Sequence, residues 1–181
     1  MREIWTIGHW TCPEPTFIGR LSGNGISALA DVRAHPRSRA SPQFGRDVMA
    51  GWLEPAAIDY VYLERLGGRR PTQDVEPAVN SGWQNVSFKN YADYTLLPLY
   101  HEGIAELLDL AADRRVVIMC GEPMPWRCHR LLIANTLTAR GWTVRHIMGD
   151  GEPRVHQLGQ WGAMPVVGAD GQLTYPGPGP T

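Results

Sequence analysis

Charge of one sign, cysteine and long apolar runs are what this sequence has least of, and each shortage narrows the reading. Its 17 basic and 18 acidic side chains nearly cancel, so any contact with nucleic acid must come from a local patch. No apolar run approaches the roughly 18 residues that a membrane-crossing helix requires, and the first residues pass straight into a strand-like segment. Neither secretion nor a membrane partner is therefore expected. Three cysteines are too few, and odd in number, for a disulfide framework, which points to a reducing, cytoplasmic setting. What the chain does have is 181 residues, 43 % of them hydrophobic, enough for one domain with a proper core. The 20 glycines and 15 prolines exceed the usual share. Many sit in loops and in the repetitive end Tyr175-Pro176-Gly177-Pro178-Gly179-Pro180-Thr181, which cannot donate a regular ladder and is expected to be loose.

Glu3–His9 alternates and is rich in β-formers, so a first strand is expected there. Thr11 can cap a helix with Pro13 in its first turn, running to the stop at Gly23-Asn24-Gly25. Ile26–Arg33 reads as a second strand and Asp59–Leu63 as a third, with a short helix over Arg46–Leu53 between them. Gly67–Val86 has no periodicity and reads as a long loop. Phe88–Tyr94 suits one or two helical turns, and His101–Ala112 spaces Ile104, Leu107, Leu108 and Ala111 as an amphipathic helix. Arg115–Cys120 is a continuous apolar run, as in a strand buried on both faces. A helix over Arg127–Arg140 with Gly141 just past its end, a strand over Thr143–Met148 and a hairpin turning at Asp170-Gly171 complete the pattern. This alternation predicts an α/β fold with a mostly parallel sheet of about five strands, helices on both faces and a C-terminal hairpin.

In such sheets ligands bind outside the carboxyl ends of the strands. Those ends carry His9, Asp31, Arg33 and Cys120, and the loops leaving them add Arg37, Arg39, Arg69, Arg70, Glu122, Arg127, Cys128, His129 and Arg130. The sharpest piece is the turn from Cys120 to Arg130. A cysteine between a buried strand and a helix start meets backbone N–H groups and the positive helix end, both of which favour a thiolate and hold anions. The competing reading is a buried cysteine used as a small hydrophobe. Cys12, beside the helix cap, looks incidental. Cys120, Cys128, His129 and His9 could supply four metal ligands, but their spacing matches no zinc pattern and no metal is expected. Asp31 is either half of a local ion pair with Arg33 or an orienter of His9. Trp126, with Trp10, Phe44, Tyr91 and Tyr94, can stack on a base or aromatic ligand or simply fill the core, and His156 and Trp161 read as packing.

Thr6-Ile7-Gly8-His9, Asp31-Val32-Arg33 with Pro36-Arg37-Ser38, Pro42-Gln43-Phe44, Leu66-Gly67-Gly68, Tyr91-Ala92-Asp93-Tyr94 and Met119-Cys120 through Trp126-Arg127-Cys128-His129-Arg130 together resemble the DUF488 family. The motifs stand in the family's order and span about residues 4 to 150. The resemblance implies a bacterial or archaeal cytoplasmic protein; one such domain is expected over residues 1–175, with the Pro/Gly-rich residues 176–181 as a flexible tail. The resemblance implies no activity. The order of elements is also similar to rhodanese-like domains, whose cysteine loop carries persulfide or phosphate chemistry. Here six residues, two of them proline, separate Cys120 from Arg127, a departure from that pattern.

Three functions from different classes fit these residues. In a cysteine-dependent enzyme acting on an anionic small molecule, nucleotide or nucleic acid, Cys120 is the nucleophile and Arg127 and Arg130 hold the anion. His9 or His129 carries the proton and Asp31 orients. In a non-catalytic nucleotide or nucleic-acid binding module, Arg37, Arg39, Arg69, Arg70 and Lys89 do the work with nearby aromatics. In a metal-stabilised interaction protein, the cysteines and histidines are ligands. The sequence names no cofactor and no oligomeric state.

Overall fold

The computed structural model describes residues 2–178, and they form an α/β fold around one largely parallel sheet. Five strands run parallel, β1 (Glu3–Gly8), β2 (Ala28–Asp31), β3 (Asp59–Tyr62), β4 (Val116–Cys120) and β5 (Thr143–Ile147). A sixth, β6 (Arg154–Val155), pairs antiparallel with β5, giving the order β3-β2-β4-β1-β5-β6. Both residues of β6 are exposed, so its two-residue span carried no alternation to read. The hairpin at the end is formed by β7 (Val166–Val167) and β8 (Leu173–Thr174), closing at Gly171 with φ 81°.

Period-two geometry sends alternate strand residues to opposite layers. Trp5, Ile7, Leu29, Val117 and Met119 pack against α1 (Glu14–Gly23) and α2 (Arg46–Leu53). Ile4, Ala28, Ala30, Val116, Ile118, Cys120 and Val144 face the other layer, α3 (Val86–Tyr94), α4 (Pro98–Ala111) and α5 (Arg130–Ala139). Every residue of β4 is buried, as its unbroken apolar run requires.

Several boundaries differ from the sequence expectation, each for a local reason. Pro13 occupies the cap position of α1 and Thr11 makes no capping bond. Asn85 does cap, its side chain accepting from Phe88 N–H, so α3 starts at Val86. Pro98 opens α4 three residues early, where its missing N–H costs nothing. The helix expected from Arg127 is split into a 3₁₀ turn, Pro125–Arg127, and α5, because Cys128 between them is extended at φ −143°. Cys128 thus precedes the helix instead of lying one turn inside it. The loop after Gly67 holds no helix or strand before Val86. Its anchor is buried Asn80, which donates to Asp93 and accepts from Tyr175 N–H. Gly177 N–H is tied to Ser81 Oγ at 3.0 Å, and the remainder of the expected tail, residues 179–181, lies outside the described residues.

Candidate active site

The strand order sets β2, β4 and β1 side by side, so their carboxyl ends form one ledge. Gly8 pairs with Cys120 and Asp31 with Met119, and the ladder continues past the strands through His9 N–H to the Cys120 carbonyl at 2.9 Å. Above the ledge lies a cavity of about 500 Å³, a volume suited to a small molecule. His9, Arg33, Arg37, Arg69, Tyr91, Cys120, Glu122, Arg127, Cys128 and His129 all contribute to its walls, so ten of the residues expected from the sequence converge there. Its walls also include Trp10, a stacking candidate from the sequence, and His35, Ser87 and Phe88, which sequence reasoning missed.

At the floor the sulfurs of Cys120 and Cys128 lie 2.8 Å apart. One residue serves both, since Arg130 donates its Nε hydrogen to Cys120 Sγ at 3.0 Å and its backbone N–H to Cys128 Sγ at 3.2 Å. The guanidinium also donates to the Glu122 carbonyl at 2.7 Å and to Thr6 Oγ1 at 2.9 Å. Arg130 is 0 % exposed, and among the described residues no carboxylate pairs with it. A guanidinium stays charged and is costly to bury without an anion. The only anion its contacts can supply is a thiolate. Burial opposes charge on Cys128, but the thiol of Cys120, Arg130 and neighbouring His129 outweigh it and hold Cys128 well below the usual thiol range. Burial, followed by the sharing of the proton with Cys128, pushes Cys120 well up. Held this way, the charge of the pair is favoured on Cys128 and its proton on Cys120.

Arg33 is placed by Asp31, whose carboxylate takes its Nε at 2.9 Å and Nη2 at 2.7 Å. Asp31 also accepts from the Tyr60 hydroxyl, and burial together with that bond raises the Tyr60 pKa. Asp31 does not touch His9; it reaches it only through Arg33, whose Nη1 lies 3.3 Å from His9 Nε2. His9 donates from Nδ1 to the Trp10 carbonyl at 2.7 Å and stacks on Phe44, so Nε2 is its basic nitrogen and accepts from Arg33 Nη1. Burial, reinforced by Arg33, lowers its pKa to about 4, which leaves it neutral at physiological pH. His129 donates from Nε2 to the Val32 carbonyl at 2.7 Å and packs beside Tyr91. Arg37, Arg69 and Arg127 have no carboxylate partner among the described residues, and all three are exposed at the cavity. Trp10 and Arg69, two of the three non-glycine residues with positive φ among the described residues, stand on its walls at 44° and 55°.

The remaining expected residues stand elsewhere. Arg70 donates to the Gly67 and Glu64 carbonyls and lies 4.1 Å over the Tyr94 ring, whose hydroxyl serves the Arg65 carbonyl. Trp126 packs on Trp161 at 4.9 Å, and Lys89 pairs with Asp93. Arg39 is exposed and not part of the cavity wall. Among the described residues no three His, Cys, Asp or Glu side chains are grouped as metal ligands.

Behind the sulfurs runs a buried polar chain. Thr6 and His146 are direct partners across β1 and β5 and face the same layer as Arg130. Arg130 can only donate, so Thr6 accepts from it and gives its own hydrogen to His146 Nδ1 at 2.6 Å. His146 Nε2 then donates to His156 Nδ1 at 2.9 Å, and His156 Nε2 to Asn135 Oδ1 at 2.7 Å. Asn135 passes a hydrogen to the Tyr175 hydroxyl at 3.1 Å. Every bond in this order requires both histidines neutral, and burial lowers them to about 2 for His146 and about 4 for His156. A threonine and a histidine on inward positions of apolar strands were the available signal for this chain, and it was passed over.

The model of the family described as Domain of unknown function DUF488 matches residues 15–137, more than half of the chain. The chain belongs to the DUF488 family. No curated protein and no solved structure matches it, so the likeness to rhodanese-like domains stays one of element order. In this DUF488 chain the matched segment contains Arg33, both floor cysteines and Arg130, whereas His9, Thr6, His146 and His156 fall outside it. No helix among the described residues is long and apolar enough to cross a membrane.

Proposed function

We propose that this DUF488 protein is a cysteine-dependent enzyme acting on a small anionic molecule, with Cys128 as its nucleophile. The observation that carries this reading is buried Arg130 with two sulfurs and no carboxylate for company. A structural pair of thiols has no need of a buried cation, whereas a thiolate does. Three unpaired arginines around a cavity of about 500 Å³ support an anionic substrate of modest size. In this scheme Arg37, Arg69 and Arg127 attract the anion and Arg33, fixed by Asp31, orients it. The Cys128 sulfur attacks its electrophilic centre, Cys120 S–H supplies a proton to the leaving group, and neutral His9 accepts one through Nε2. The assignment moves the nucleophile from Cys120, where the strand end alone had put it, to the cysteine that Cys120 and Arg130 both serve.

The test is site-resolved alkylation against pH, with and without phosphate. Cys128 is expected to react with a midpoint below the roughly 8.5 of a free thiol, and phosphate to slow it. If both cysteines stay inert until the chain unfolds, they are core, and a non-catalytic binding module becomes the better reading.

A further inference from the structure

Cys120 and Cys128 are 8 residues apart in the chain, yet their sulfurs meet at 2.8 Å and both line the cavity. Cys12 stands apart, half-buried, its thiol on the Pro13 carbonyl. A simple nucleophile gains little from a second thiol so close, because that thiol attacks any sulfur adduct before another acceptor arrives. We infer that Cys120 and Cys128 are a redox couple that reduces a small anionic disulfide held in the cavity and closes to an intramolecular disulfide. The inference rests on the thiolate reading above.

The steps balance. The Cys128 thiolate attacks one sulfur of the bound disulfide; that S–S bond breaks, a mixed disulfide forms on Cys128, and the departing thiolate takes the proton of Cys120. The Cys120 thiolate so formed attacks Cys128 Sγ, the mixed disulfide breaks, and the second thiolate leaves and takes a proton from water. Two electrons pass from the dithiol to the substrate, which becomes two thiols.

Arg130 adds a consequence that separates this couple from a structural disulfide. In the oxidised state neither sulfur is charged, and the buried guanidinium loses its anion. Charge pairing therefore favours the reduced protein, which makes the disulfide an oxidising one. An ordinary cross-link stabilises the fold; this one is expected to lower the urea midpoint.

The experiment uses full-length protein carrying Cys12→Ser, reduced and then exposed to oxidised glutathione at neutral pH, with acid quenching and mass spectrometry. Loss of two hydrogens with the Cys120 and Cys128 peptides linked, no lasting glutathione adduct, and a lower urea midpoint than the reduced form are expected. In the added variant Cys120→Ser the adduct should persist on Cys128. A lasting adduct on Cys128 with Cys120 present, or alkylation by iodoacetamide without any reaction with glutathione disulfide, overturns the couple and leaves the thiolate reading standing. A linked protein that is more stable than the reduced one overturns the oxidising character and makes the bond structural. If neither reagent touches either cysteine in the folded protein, both readings fall.

Discussion

The Nε hydrogen of Arg130 points at the sulfur of Cys120 over 3.0 Å, and the same residue's backbone N–H points at Cys128 over 3.2 Å. On the reading proposed above, that contact turns a pair of buried thiols into a charged site. Replacing Arg130 with Met keeps the volume and removes the cation. The alkylation midpoint of Cys128 is expected to rise by about one pH unit or more, slowing the reaction at pH 7 by about tenfold. The orphaned acceptors at Thr6 and Glu122 should cost about 1–3 kcal/mol in urea unfolding. An unchanged midpoint would detach the thiolate from Arg130.

The exposed arginines make a separate prediction about reagent charge. Iodoacetate carries a negative charge and iodoacetamide does not, so the ratio of their rates at Cys128 reports the field of the cavity. The ratio should exceed that of a free thiol, and Arg69→Gln with Arg127→Gln should reduce it several-fold, as should added salt. A ratio indifferent to both arginines would place the anion elsewhere.

Gly8 lies under the cysteine loop with no room for a side chain. A Cβ there would stand 1.7 Å from the Glu122 carbonyl oxygen and 2.8 Å from Pro123 Cα. Gly8→Ala must push that loop away and with it an acceptor of Arg130. Loss of about 1–3 kcal/mol is expected from the overpacking, accompanied by slower alkylation of Cys128. Gly51→Ala, with open space at its Cβ, is the control. Equal behaviour of the two variants would contradict the packing of the loop.

Acid should unfold the protein in a window set by its buried histidines. His9 and His156 are held at about 4 and His146 at about 2, below the ordinary 6.5. Above 6.5 neither folded nor unfolded chain protonates them, and their contribution is fully present. As pH falls from 6.5 toward 4, the unfolded chain binds protons that the native chain refuses, so stability drops by up to about 1.4 kcal/mol per pH unit per histidine. Urea titrations between pH 7 and 4 should show this fall, and His156→Gln should make it shallower. Equal slopes in the two proteins would mean that His156 titrates normally in the fold.

The short motifs around Cys120, Asp31 and His9 were legible because chemistry-bearing side chains stood at strand ends, where a parallel sheet exposes its loops. Arg130 was legible as a cation yet not as a buried one, since nothing in the Cys120–Arg130 run marks which of its two arginines, Arg127 or Arg130, turns inward. Trp126, Tyr94 and Arg70 shared the same stretches and the same chemical promise, but pack against Trp161, the Arg65 carbonyl and the Tyr94 ring. Thr6 and His146 were passed over because each is a single polar residue in an apolar strand, and only pairing across β1 and β5 joins them.

By itself the sequence determined the fold class and pointed to the strand ends where the candidate site lies. Hydrophobic periodicity is local, and a buried parallel strand followed by a turn and a helix declares its carboxyl end within a dozen residues. Family membership was legible for a related reason, as it rests on short motifs in order. Only the tertiary structure decided that the two sulfurs share one buried cation. That depends on Cys128 stopping short of α5, on Arg130 being walled in by β1 and the Glu122 carbonyl, and on the absence of a carboxylate within its reach among the described residues. Electrostatic balance is a property of distances between chain segments far apart in sequence, and those distances exist only once the sheet has assembled.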